Sequence, residues 1–198
     1  MADNISRKLD SYSYKDYMNF PDDFRCEIVE GFVVNMSPAP SFGHQNIVSK
    51  LNFEFSLSLK NKKCSVGLSP LDVFLDFTGN IHDCKVIVQP DLLVVCDKNK
   101  INEKGILGVP DLVVEVVSPS SITHDTKVKF DLYEKYEVPE YWLVFPELKS
   151  IVQNILKDNK YSSKTFIYEE NSDISLISEK ISAITVSLNE LFDDREII

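Results

Sequence analysis

The chain has 198 residues, of which 43% are hydrophobic and 26% charged, and it carries a formal net charge of −10 at pH 7. This composition is that of a globular protein, and the length predicts a single domain over residues 1–198 with its core at about 14–192. An acidic chain does not attract nucleic acid by bulk charge, so such binding requires a local basic patch or metal ions. No apolar run reaches the ~20 residues of a membrane span and the N-terminus has no apolar signal core, so we expect a cytoplasmic protein that does not associate with membranes.

The first third of the chain predicts a short helix, a hairpin and a longer helix. Residues 11–20 are the short helix, and residues 26–36 alternate as a β-hairpin that turns at Glu30-Gly31. Residues 41–60 carry apolar side chains at three- and four-residue spacing, which is typical of a helix with one buried face.

The rest of the chain contains short apolar runs separated by turn residues. These runs predict strands at 71–77, 85–88, 92–96, 111–117 and 141–145, a polar loop at 97–108 and a helix at 124–137. That helix and the strands on either side of it form a strand–helix–strand unit, which should have parallel strands and a right-handed crossover. Beyond residue 150 we expect further strands and a short helix at 188–192 that close the sheet.

The four cysteines show neither a CxxC pair nor a metal-ligand spacing. Cys26 and Cys96 lie inside strand-like runs, so we expect both to be small buried hydrophobic residues. The cysteines therefore do not predict a metal site.

The strand at 111–117 places one carboxylate, Glu115, among four valines. β-Branched residues suit a strand, and a near-continuous apolar run indicates that both of its faces are covered. A glutamate there is costly unless it is paired, protonated or bound to a cation. We therefore expect other parts of the chain to supply Glu115 with partners.

Two aspartates are candidate partners of Glu115. Asp111 lies on the same face of the same strand but four residues away, which is about 13 Å and too far for one ion to bridge. If the strands at 91–96 and 111–117 pair antiparallel across the loop, Asp91 lies directly opposite Glu115, with the two Cβ atoms about 5 Å apart. The same register carries Asp111 to the far end of the pair.

Two carboxylates this close either share a proton or bind a divalent cation, and oxygen ligands favour Mg²⁺ or Mn²⁺ over zinc. The alternative is structural: Asp91 caps the entrance of its strand, and Glu115 pairs with a lysine for stability alone. The convergence of two carboxylates beside a lysine-bearing helix favours the metal site.

Lys127 and Lys129 lie in the first turns of the helix at 124–137, where a cation opposes the helix dipole. Neither lysine is therefore placed there for helix stability. Each is either a solvated side chain or a cation that reaches over the end of the sheet toward Glu115. Lys129 shares one helix face with Asp125 and Tyr133.

The remaining candidates are isolated polar residues. His44 lies in the first turn of the helix at 41–60, where a lone histidine is more often structural than functional. Glu27 is an inward-pointing acidic candidate in an apolar hairpin, although a hairpin glutamate is usually solvated. His82 and His124 lie in polar stretches that indicate no role.

Taken together, these segments resemble the Uma-type restriction endonuclease family of the PD-(D/E)xK nuclease superfamily. The motifs that carry the resemblance are the EIVEGFVV hairpin, His44 at the start of a helix, QPDLLVV, GVPDLVVEVVSPSS, the Asp125–Lys129–Tyr133 helix and VPEYWLVFP. The resemblance extends over about residues 14–192 and is most specific at 108–146.

The resemblance implies an α/β (α+β) fold: a mixed, four-stranded, restriction-endonuclease-like sheet flanked by helices, with an added N-terminal hairpin and extra C-terminal strands. It also implies divalent-metal-dependent hydrolysis of phosphodiester bonds, with Mg²⁺ or Mn²⁺ as the ion and DNA as the expected substrate. Duplex cleavage would favour a two-fold homodimer. Asp91, Glu115 and the backbone carbonyl of Val116 correspond to the metal ligands.

The chain departs from the superfamily at the catalytic lysine. Val117 stands where the superfamily motif has this lysine, but such lysines can migrate to a neighbouring helix. Lys129, and not Lys127, matches the lysine of the family's helix motif. Glu27 and His44 match recurring family positions, which implies that they position metal or water.

The departure at Val117 and the acidic charge leave two alternatives to a nuclease open. One is a catalytically inactive member of the fold that binds nucleic acid or protein. The other is a structural protein in which Asp91 and Glu115 belong only to a core ion pair.

Overall fold

A computed structural model describes residues 11–21, 23–36, 39–170 and 172–193, so both ends of the predicted 1–198 domain lie outside the described residues. In these ranges the strands are, in chain order, β1 (Cys26–Val29), β2 (Phe32–Asn35), β3 (Ser65–Leu68), β4 (Val73–Phe74), β5 (Ile87–Val88), β6 (Leu92–Val95), β7 (Ile101–Asn102), β8 (Gly105–Leu107), β9 (Leu112–Val116), β10 (Glu140–Phe145), β11 (Ser150–Lys157), β12 (Lys160–Ile167), β13 (Ser175–Ile177) and β14 (Thr185–Ser187). The α-helices are α1 (Tyr14–Tyr17), α2 (Phe42–Ser58), α3 (Phe130–Lys135) and α4 (Leu188–Phe192).

The first large sheet has six strands in the order β12-β11-β10-β9-β6-β3. The β9 and β10 strands are parallel, with Val114 opposite Trp142, and the other neighbours are antiparallel. The predicted strand–helix–strand unit with parallel strands is therefore confirmed.

Each face of this sheet packs against a helix. On one face, Phe55 of α2 packs with Val114 of β9, and β14 and α4 lie against α2 from outside the sheet. On the other face, Tyr133 of α3 packs with Val113. Because side chains alternate along a strand, Glu115 points to the same face as Val113, toward α3.

The second large sheet has the order β2-β1-β5-β4-β8-β7, with β4 and β8 parallel. The predicted hairpin at 26–36 is confirmed, but it forms the edge of this sheet instead of an appendage to the first. Two large mixed sheets flanked by helices confirm the predicted α+β class.

The prediction of a loop at 97–108 was wrong in part, because β7 and β8 pair there and join β4. Strands of two or three residues are too short to show an alternating pattern. The pairing also depends on Gly105 (φ +141°), where a Cβ atom would lie 2.1 Å from the carbonyl oxygen of Asp72. Only glycine, which has no Cβ, permits this approach.

The helix predicted at 124–137 begins differently from the prediction. A π-helical turn, His124–Lys129, precedes α3. Apolar spacing does not distinguish a π-helical turn, with hydrogen bonds between residues five apart, from an α-helical turn.

The expectation for Cys96 was wrong, because Cys96 forms a disulfide with Cys64. The antiparallel pairing of β3 with β6 places Ser65 opposite Val95, and one step further the two cysteines lie opposite each other. They are 32 residues apart in sequence, so their spacing carried no local signal. Cys26 is a buried free cysteine, as predicted.

Glu140, at the start of β10, is a buried carboxylate whose contribution to the stability of the fold can be measured by substitution. It is fully buried, and its two oxygens accept hydrogen bonds from Trp142, Gln153, Ser178 and the Lys180 amide. We expect Glu140→Ala to lower the free energy of unfolding by about 3 kcal/mol, because it leaves buried donors without an acceptor.

Urea unfolding followed by circular dichroism measures this change. The matched control is Glu147→Ala, which removes an exposed glutamate of the next turn and should change stability by less than about 0.5 kcal/mol. Equal losses in the two variants would contradict the expectation.

Candidate functional site

The two predicted carboxylates lie side by side at the end of the β6–β9 pair. Leu92 is opposite Val114, which places Asp91 opposite Glu115, in the register derived from the sequence. The Asp91 amide donates to Glu115 Oε2 at 3.4 Å, and the Val116 amide donates to Asp91 Oδ2 at 2.8 Å.

Asp111 lies at the opposite end of this strand pair. Its Oδ2 accepts a hydrogen bond from the Cys96 amide at 2.7 Å. It therefore takes no part in the cluster around Glu115, as the strand spacing predicts.

Lys129 is the lysine that reaches Glu115. Its Nζ lies 2.8 Å from Glu115 Oε1, and the hydroxyl of Tyr133 donates to the same oxygen at 2.9 Å. Lys127 is exposed on the same helical turn. Val117, at the position of the superfamily lysine, is instead buried in the apolar core to which Tyr133 also belongs.

Glu27 of β1 joins the same cluster and is not a solvated hairpin residue. Only 3% of its side chain is exposed. Its Oε1 lies 3.1 Å from Lys129 Nζ and accepts the Gln89 amide at 2.7 Å. Its Oε2 lies 2.7 Å from Nε2 of His124.

His124 is the member of the cluster for which the sequence indicated no role. It lies 97 residues from Glu27 along the chain. The one feature of the sequence that could have identified His124 as a site residue was its position next to Asp125, at the start of the helix that carries Lys129. The contact itself depends on how the hairpin and this helix meet in space.

His44 of α2 approaches the site from the other face of the sheet. Its Nε2 lies 3.3 Å from Asp91 Oδ2. Its Nδ1 is buried and has no hydrogen-bond partner within the described part of the chain. All five predicted side chains therefore converge on the β6–β9 strand ends.

The charges in the cluster shift one another's protonation. Burial raises the pKa of Glu115 well above its usual value, although the Lys129 ammonium opposes this. Burial alone would lower the pKa of Lys129, but Glu115 and Glu27 raise it well above its usual value. Burial would raise the pKa of Glu27, but Lys129 and the hydrogen bond from His124 lower it to about 2. The pKa of His44 is raised, because the bond to Asp91 outweighs its burial.

The donor atoms at the strand ends suit a hard divalent cation. The residues in the described ranges include no cluster of three or more His, Cys, Asp or Glu side chains arranged as metal ligands. Asp91, Glu115 and the Val116 carbonyl offer oxygen donors alone, and Mg²⁺ commonly combines one or two carboxylates with several waters. The 3.4 Å bond to Glu115 Oε2 is weak and leaves this oxygen available.

A mixed sheet flanked by helices, with two carboxylates at adjoining strand ends and a lysine that reaches them from the helix between β9 and β10, defines the class of restriction-endonuclease-like proteins. The profile of the Uma2 family, described as "Putative restriction endonuclease", matches residues 12–188. The chain belongs to this family.

The chain is similar in sequence to a curated protein and in fold to a solved structure. The uncharacterized protein slr1290 of Synechocystis sp. is 34% identical over 135 residues, which cover 67% of each chain. A crystal structure from Anabaena variabilis, described as "a putative nuclease belonging to DUF820", superposes with a TM-score of 0.70 at 17% identity. The match covers 91% of this chain and 97% of that one, and it shows a common fold.

The sequence also predicts that no segment spans a membrane, and the helices of the structure bear on this prediction. Across the described ranges, no helix combines the length and apolar character needed to cross a bilayer.

The depressed pKa of Glu27 predicts how stability depends on pH. In the unfolded chain this carboxyl has its ordinary pKa near 4.5, and in the folded chain about 2. Its ionised form therefore stabilises the fold above pH 4.5, and this contribution is lost as the pH falls toward 2. Between pH 5 and pH 2 we expect the free energy of unfolding of the wild type to fall by about 3 kcal/mol more than that of Glu27→Gln.

Urea unfolding at closely spaced pH values measures both curves. Glu103→Gln, at an exposed turn position, should follow the wild-type curve. A Glu27→Gln curve parallel to the wild type would contradict the expectation.

Proposed function

We propose that this protein is a divalent-metal-dependent nuclease that hydrolyses phosphodiester bonds in DNA. The observation that carries the proposal is the convergence of Asp91, Glu115 and Lys129 at adjoining strand ends. Membership in a family described as "Putative restriction endonuclease" supports nuclease chemistry. We further propose that residues 1–198 act as one domain and that duplex cleavage uses a two-fold dimer.

Asp91, Glu115 and the backbone carbonyl of Val116 would hold the ion, as Mg²⁺ or Mn²⁺. When bound, such an ion lowers the pKa of a coordinated water and neutralises charge on phosphate oxygens. The protein's own contribution is to hold the two carboxylates together. The Val116 amide binds Asp91 Oδ2, and Tyr133 and Lys129 bind Glu115 Oε1, so each carboxylate has one oxygen anchored.

Lys129 replaces the lysine that is missing at Val117. Its contacts with Glu115 and Glu27 keep it protonated, so its ammonium is a fixed positive charge beside the carboxylates. From this position it would orient the attacking water or stabilise negative charge that develops on the phosphate. Glu27 provides the second carboxylate contact to this ammonium, at 3.1 Å.

His44 would position the metal or a water molecule at the open side of the site. Its side chain is 11% exposed and that of Asp91 is 22% exposed, so both lie near the surface end of the cluster. With Nε2 at Asp91, its buried Nδ1 remains available for a further hydrogen bond.

A second function is favoured by one observation. The Lys129 side chain is 6% exposed and contacts two carboxylates, which is also the arrangement of a purely structural ion pair. A member of the fold that has lost catalysis would keep this pair for stability and bind nucleic acid or protein.

Calorimetric titration with Mn²⁺ separates the two functions. We expect the wild type to bind the ion and Glu115→Ala to bind it at least about tenfold more weakly, because a ligand is removed. Asp111→Asn is the matched control, since it neutralises a carboxylate of the same strand that lies at the far end, and its affinity should equal that of the wild type.

Cleavage of plasmid and single-stranded DNA, with RNA as a comparison substrate, completes the test. The nuclease function is supported if cleavage depends on the metal and is abolished in both Glu115→Ala and Lys129→Met. Absence of both Mn²⁺ binding and cleavage, together with a Glu115→Ala variant that is less stable than the wild type, supports the binding protein instead.

A further inference from the structure

His124 has no role in the proposed mechanism, yet it completes the buried charge cluster. Its Nε2 lies 2.7 Å from Glu27 Oε2, and its side chain is 24% exposed. The other oxygen of Glu27 contacts Lys129 at 3.1 Å and the Gln89 amide at 2.7 Å. Glu27 is therefore held from three directions, and His124 is the contact nearest the solvent.

The π-helical turn is what lets one helix provide two of these contacts. His124 and Lys129 are five residues apart, the spacing that hydrogen bonds of a π-helix bring into line. In a regular α-helix, residues five apart point about 140° away from each other. The wider turn therefore aims both side chains at Glu27, and π-helical turns are frequent at functional sites.

We propose, on the basis of the nuclease function above, that His124 is a positioning residue. By donating a hydrogen bond from Nε2 to Oε2 of Glu27, it orients this carboxylate so that Oε1 holds the Lys129 ammonium against Glu115. His124 does not contact the metal ligands and would not bind the ion.

The physical reason lies in the competition for Lys129. Its Nζ is 2.8 Å from Glu115 and 3.1 Å from Glu27, so the two carboxylates share one ammonium almost equally. Without His124, Oε2 of Glu27 is a buried acceptor with no donor at this contact, and the carboxylate turns toward the nearest cation. Lys129 then moves toward Glu27 and away from Glu115, where its charge is needed.

The test compares His124→Ala, His124→Gln and Lys127→Ala, the last a control on the exposed side of the same turn. Glutamine carries an amide N–H donor that reaches about as far as Nε2 but has no imidazole ring. We expect His124→Ala to lower kcat for DNA cleavage at least tenfold with KM unchanged. His124→Gln should restore most of this loss, and Lys127→Ala should behave as the wild type.

A second measurement does not depend on cleavage. The buried Lys129 ammonium should give a slowly exchanging ¹⁵N–¹H signal, assigned by its absence in Lys129→Met. We expect His124→Ala to shift or broaden this signal, and His124→Gln to restore it, while the Mn²⁺ affinity of both variants stays at the wild-type value.

Three results would overturn the proposal: an unchanged Lys129 signal in His124→Ala, a loss that His124→Gln does not restore, or weaker Mn²⁺ binding in His124→Ala. A wild type that cleaves nothing would reject the nuclease function alone. The ammonium signal then still decides whether His124 positions Lys129.

Discussion

The structure depends on one buried ammonium, that of Lys129, enclosed by the carboxylates of Glu115 and Glu27. A charge removed from water is tolerated only when opposite charges and hydrogen bonds replace its hydration. Here the partners come from β9 and β1, and the lysine comes from the helical segment between β9 and β10. The requirement to keep these groups together links the two large sheets to the helix that packs on them.

The apolar framework determines where this charge can act. The valines of β9 are buried on both faces, so Glu115 is the one residue of this strand that presents a carboxylate, and its direction follows from the pleat. Val117 belongs to the apolar core on the α3 side of the sheet, as does Tyr133. A lysine at that position would replace core packing, whereas Lys129 reaches Glu115 from the helix without disturbing the strand.

The cluster also explains how an acidic chain can serve the chemistry proposed for it. With a net charge of −10, the protein as a whole repels a phosphate backbone. A cation at Asp91 and Glu115, with Lys129 held beside it, would concentrate positive charge at one point. Attraction of the substrate would then depend on the bound ion, so metal binding and DNA binding should be coupled.

Local patterns in the sequence determined the type and position of the longer elements, namely helices of several turns and strands long enough to show an alternating pattern. The register that places Asp91 opposite Glu115 follows from the two-residue period of strands, and the shared face of Lys129 and Tyr133 follows from helical spacing. Each of these relations joins residues whose geometry is set by one element or one strand pair. Resemblance to a known family then favoured Lys129 over Lys127 as the lysine of the site. It also favoured Glu27 and His44 as functional residues, which the local pattern alone did not.

Only the tertiary structure decided the contacts between distant segments. Glu27 meets His124 across 97 residues, Cys64 meets Cys96 across 32, and β8 joins β4 through a close approach at Gly105. The π-helical turn that aligns His124 with Lys129 is likewise invisible in apolar spacing. Periodicity specifies which face of an element is buried, but it does not specify which polar groups meet when the faces pack. That choice is made by the requirement that every buried charge find a partner.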